Sequence, residues 1–165
     1  MRKIFILLLS AVMIFSAVSC GADEPKTESS VSCENFSIKF STQTESIKTL
    51  TVTPEELDWN ALRDAGYKSV KITVSYKVSF EKQWGFGNIG YLGNPRYDLS
   101  ILNSDGVVES FLGLETEDEP KSRTESHTMT LDDVADKEIT LKFETTNIQN
   151  LISFGDVVVE YTVKK

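Results

Sequence analysis

The sequence predicts an all-β protein, an antiparallel β-sandwich that is jelly-roll-like, with an immunoglobulin-like sandwich as the alternative. Three observations lead there. Apolar and polar residues alternate in segment after segment beyond residue 33. A tight-turn signal at Asp105-Gly106 splits one long β-rich stretch in two. Only one short segment has helical spacing. Period-two patterning places one face of each strand in a core, and many short strands with polar connections pack as two sheets.

The elements follow in chain order. In "NFSIKFS", Phe36, Ile38 and Phe40 alternate, and "ESIKTLTV" reads as a second, weaker strand. The run "TPEELDWNALRDAG" breaks the period. Thr53 can cap a helix there, with Pro54 in the first turn and Glu56 completing a capping box. Leu57, Ala61, Leu62 and Ala65 share one face, and Gly66 offers the stop, so a short helix is expected near 54–65, covering one open end of the sandwich. Trp59 is expected to pack beneath it. The clearest strand is "YKSVKITVSYKVSF": Val70, Ile72, Val74, Tyr76, Val78 and Phe80 take one face, with Ser, Thr and Lys on the other. "YDLSILNSDGVVESFLGL" is a hairpin, because Gly106 supplies the backbone freedom that a tight turn demands. "SHTMTL", "EITLKFE" and "VVVEYTV" complete a set of about eight strands.

At the N-terminus, Arg2 and Lys3 precede an uncharged run from Ile4 to Ser19. As a helix this run rises about 24 Å, short of a bilayer core, so it reads as an export signal over residues 1–19 and not as a permanent span. Ala17-Val18-Ser19 also suits a general signal peptidase, which would release a soluble chain beginning at Cys20. The alternative is carried by Ala17-Val18-Ser19-Cys20, which resembles the lipobox of bacterial lipoproteins, with Ala17 where that family usually has Leu. The resemblance covers only these N-terminal residues. It implies a diacylglyceryl group on the Cys20 thiol and a chain held on the membrane by acyl chains, since two or more chains anchor stably where one does not. Residues 20–32, "CGADEPKTESSVS", then read as the lipidated cysteine and a flexible tether, and residues 33–165 as the single domain. With Cys20 acylated, Cys33 has no disulfide partner and is expected half-buried at the start of the first strand; a Cys20–Cys33 disulfide belongs to the soluble alternative.

The chain carries a net charge of −8, and removal of the signal, which holds two cations and no acid, makes it −10. That argues against nucleic acid as a partner and against adhesion to anionic lipid through basic patches.

The segment "EKQWGFGNIGYLGNPRYD" is long for a connection between strands and holds four of the nine glycines. Two readings of it stand. Trp84, Phe86 and Tyr91 present aromatic faces to a sugar ring or a partner protein, with Asn88, Asn94 and Arg96 supplying hydrogen bonds. Alternatively Trp84 and Phe86, at even positions like Val70 through Phe80, continue the strand and close the core. The acidic stretch with Glu115, Glu117, Asp118 and Glu119 lacks the spacing of a calcium loop and reads as a solvated connection, as does that with Asp132, Asp133 and Asp136. His127 is the only histidine and reads as a packed or exposed strand residue. No metal site, cofactor fingerprint or catalytic motif is found in the sequence, so no cofactor is expected. The expectation is a lipid-anchored extracytoplasmic module that binds carbohydrate or a surface protein and is not an enzyme. The alternatives are a structural or assembly protein of the cell envelope and, third, a small hydrolase.

Overall fold

The computed structural model describes residues 24–39, 45–82, 95–115, 121–132, 134, 138–145 and 150–165. These form nine strands and one helix: β1 Glu28–Cys33, β2 Phe36–Lys39, β3 Ile47–Val52, α1 Trp59–Asp64, β4 Ser69–Lys82, β5 Arg96–Asn103, β6 Gly106–Leu114, β7 Ser122–Leu131, β8 Ile139–Glu144 and β9 Asn150–Lys164. One sheet has the order β1–β9–β4–β7, with β2 also on β9; the other has the order β3–β8–β5–β6.

The pairing is nested. β5 pairs with β6, β4 with β7, β3 with β8, and β1 and β2 with β9, each pair antiparallel. Folding that long hairpin over adds the β4–β9 and β5–β8 ladders and yields two sheets. This is the jelly-roll order, so the immunoglobulin-like alternative is set aside.

The core lies between the sheets. Val70, Ile72, Val74, Tyr76, Val78 and Phe80 are buried as the alternation predicts, facing Leu99, Ile101, Leu141 and Phe143. Aromatic rings fill its centre: Phe154 lies 4.7 Å from Phe143 and 5.0 Å from Tyr97, centroid to centroid. These offset and edge contacts suit the ring quadrupoles.

A bulge sets how β9 fits. Between Ser75 and Lys77 of β4 the register shifts, and Asp156 adopts a left-handed φ of 52°. One extra residue reverses which parity faces inward. Ile152 and Phe154 are therefore buried before the bulge, and Val157, Val159, Tyr161 and Val163 after it. The edge strand makes the matching correction by breaking at Glu34-Asn35, and Asn35 Oδ1 accepts a bond from the Asp156 N–H at 3.1 Å.

Three expectations need correction. The helix begins at Trp59, with Asp58 as N-cap, its carboxylate accepting from the N–H groups of Asn60 and Ala61. Thr53, Pro54 and Glu56 precede it and do not cap it. Leu57 and Trp59 are both buried, and two residues two apart reach one side only if the chain between them is extended. Next, residues 28–32, assigned by composition to the tether, form β1 on β9. Their alternation is weak because Ser29 occupies an inward place, buried opposite Tyr161. Finally, Cys33 is half-buried as expected but ends β1 instead of beginning the first strand. Trp59 does pack inward, edge-on to Tyr161.

Two substitutions test this packing. A methyl group at Gly113 would collide with the Tyr97 ring, which Phe154, Phe143 and Phe80 hold in place. Gly113→Ala is expected to destabilise by about 1–3 kcal/mol, read as a lowered denaturant midpoint. Asp58→Ala removes the cap of α1 and is expected to cost about 1 kcal/mol by the same measurement.

A candidate binding rim at one end of the sandwich

Of the residues proposed from sequence to bind or carry lipid, Cys20, Trp84, Phe86, Asn88, Tyr91 and Asn94 lie outside the described residues. So do Glu117, Asp118, Glu119, Asp133 and Asp136. What the fold defines is the frame from which their segments leave. β4 ends at Lys82 opposite Asn150, the first residue of β9, and β2 ends at Lys39 opposite Leu151. In the other sheet β5 starts at Arg96 opposite Leu114, the last residue of β6, and Glu144 at the end of β8 faces both Ile47 and Asp98. Segments 40–44, 83–94, 116–120 and 146–149 therefore all leave from the same end.

Their stems are tied to one another by backbone bonds. Lys39 N–H donates to Glu45 O at 2.9 Å, Thr145 N–H to Ser46 O at 2.9 Å, Glu115 N–H to Pro95 O at 2.8 Å, and Phe80 N–H to Lys121 O at 2.9 Å. The buried Thr145 adds a hydroxyl bond to Arg96 O at 2.8 Å. A rigid scaffold bearing a cluster of loops is the usual setting for recognition. Arg96 itself is exposed at this rim. Glu115 corrects the solvated reading of its stretch: it is 5% exposed, drawn inward where Pro95 closes the rim.

Behind the rim lies a polar cluster that sequence reasoning missed. Tyr76 and Tyr97 share a hydroxyl bond of 2.8 Å within the core, and Tyr76 also bonds His127 Nε2 at 2.9 Å. The His127 ring stacks on Phe111 of β6 at 4.0 Å, so the lone histidine is packed, joining the edges of the two sheets. Arg123, four residues nearer the rim on the same strand, donates to Glu125 at 2.5 Å and to Leu114 O at 2.7 Å, and lies 5.3 Å from the Phe80 ring centre. The signal was present in parity: Arg123, Glu125 and His127 share the inward parity of Met129 and Leu131.

Burial sets the protonation of this cluster. It drives the Tyr76 phenol far above its ordinary value, helped by Tyr97, and pushes Tyr97 up to about 12. Both phenols are neutral near pH 7 and serve as hydrogen-bonding groups. Burial lowers the His127 pKa, against the opposing pull of Glu125.

No family model matches the chain, and no curated protein matches it. Among solved structures it is similar to a protein from a study of CBM4 structure and function, at 18% identity and a TM-score of 0.44, covering 72% of this chain and 59% of that one. It is also similar to dimeric latent PorU from Porphyromonas gingivalis, at 10% identity and a TM-score of 0.44, covering 88% of this chain and 14% of that one. The chain thus spans less than two thirds of either protein. Likenesses this distant say nothing of ligand, and the sandwich assignment rests on the strand order.

The His127 environment predicts a pH dependence. Its pKa is lowered in the folded state, so the folded chain binds fewer protons than the unfolded chain just below about pH 6.5. The contribution of neutral His127 is complete above that pH and is lost as pH falls through the folded-state value. Denaturant midpoints compared between pH 7 and pH 5 are expected to fall more for the natural chain than for His127→Gln.

Proposed function

We propose that the chain is exported, cut before Cys20, acylated on that thiol, and displayed as a binding module for carbohydrate or a surface protein through the segment between β4 and β5. One observation carries the reading. The stems of that aromatic-glycine segment meet those of three others on one hydrogen-bonded rim, while the N-terminal strand begins at the opposite end, with Glu28 facing Thr162. Attachment and recognition then use different ends of one rigid body. Trp84, Phe86 and Tyr91 supply ring faces, and Asn88, Asn94 and Arg96 supply polar contacts. The chemistry of this reading is recognition, and the tyrosines behind the rim, held neutral near pH 7 by burial, act in it as hydrogen-bonding supports.

A second reading is a structural or assembly role through protein contact, and the edge strand β6 favours it. Val107, Leu112 and Leu114 are 63%, 57% and 39% exposed there, unusual for large apolar side chains on an edge.

Intact mass of the mature chain from membranes tests the anchor: a lipid adduct on an N-terminal Cys20 is expected, and an unmodified Cys20 in the soluble fraction rejects it. A glycan array probed with the mature chain tests the ligand. Binding is expected to weaken roughly tenfold or more, about 1.4 kcal/mol, in Trp84→Ala and Tyr91→Ala. If diverse glycans give no signal while crosslinking in membranes captures a protein through β6, the second reading replaces the first.

A further inference from the structure

We infer that the sandwich stands with its α1 end against the lipid surface and its loop-bearing rim directed away from it. The inference rests on the proposed acylation of Cys20. Its argument is one of lengths. The chain is pinned to the fold early: Thr27 O accepts the Val163 N–H at 2.8 Å, Lys26 pairs with Glu56 just before α1, and β1 begins at Glu28. Only the steps from Cys20 to Thr27 remain as a leash, which reaches about 25 Å when fully extended. The sandwich is longer. β4 runs its 14 residues from the α1 end to the rim, about 45 Å at the rise of a strand.

The leash is attached at the α1 end. That end also carries the turn between β5 and β6, the start of β4 and the C-terminal end of β9. To press the rim on the membrane, the α1 end would have to stand about 45 Å away, nearly twice what the leash allows. An inverted posture is thereby excluded. The broad face of the sheet that contains β1 and β9 offers no reason to lie flat. The outer face of the β1–β9–β4–β7 sheet bears hydroxyl pairs, Ser37–Ser153, Thr73–Thr128, Ser75–Ser126 and Ser79–Ser122, which are well solvated in water and have no affinity for acyl chains. The partner fitted by the α1 end is thus the lipid headgroup layer, at leash length.

The test uses the full acylated chain in lipid vesicles containing acceptor-labelled headgroups, with Cys33→Ser removing the native thiol. A donor dye is placed either at the α1 end, by Asp105→Cys, or at the rim, by Lys121→Cys; both positions are exposed. Energy transfer several-fold stronger from 105 than from 121 is expected. Equal or reversed transfer from anchored protein overturns the inference. Inserting twelve Gly and Ser residues between Ala22 and Asp23 extends the leash to about 65 Å and is expected to shrink the contrast. A contrast unchanged by the insertion overturns leash length as the cause. Mass spectrometry of the same vesicles separates the two levels: an unacylated Cys20 brings down the anchor and this inference with it, whereas acylated protein with the wrong transfer pattern brings down the orientation alone.

Discussion

The ladder between β4 and β9 is the constraint on which the rest of the molecule depends. It runs from Ser69 opposite Lys164 to Lys82 opposite Asn150, pairing strands that lie far apart in the chain. Its inward side chains supply half of the core wall, from Val70 to Phe80 on one strand and from Ile152 to Val163 on the other. β1 and β2 pair only with β9, and β7 only with β4, so without this ladder the sheet has no centre. Contacts of such sequence separation repay their loop-closure entropy only when the whole sheet assembles. The bulge at Asp156 is part of the same constraint, because it aligns the inward faces of both halves of β9 with the unbroken face of β4.

Edges are the second theme. β7 is a regular ten-residue edge strand, a shape prone to pairing with other chains. It is guarded from within. Arg123, Glu125 and His127 point toward the gap between the sheets, where each is partly buried. A foreign strand docking there would have to accept this charged seam. The contacts Arg123 to Leu114 O and His127 to Phe111 also close that side by joining β7 to β6. One cluster thus discourages wrong pairing and fastens the right one, which accounts for polar groups being retained against an aromatic core.

The nested hairpin also gives the molecule two unlike ends. At one, short links and α1 plug the core with Trp59 and Leu62. At the other, eight stems bonded to one another carry four connections. Such a division lets loop residues vary without disturbing the packing beneath them, because the stems are held by backbone bonds that any side chain permits.

Much of this was legible in the residues themselves. Alternation from Val70 to Phe80 located β4 and its buried face, Asp105-Gly106 located the hairpin, and the number of short alternating strands identified a sandwich. Those features are local, since strand parity and turn chemistry are written within a few residues. The first half of β9 was hidden because the bulge breaks its alternation at Gly155-Asp156. β1 was hidden because its inward serine looks like tether. The N-cap passed from Thr53 to Asp58 because Leu57 and Trp59 both had to be buried, a demand made by the opposing sheets. The polar seam of Arg123 and His127 acquired its meaning only when β6 came alongside β7. Strand order, the rim and the polarity of its two ends were decided by tertiary structure, because they depend on which distant strand completes each backbone ladder, and no local pattern specifies that choice.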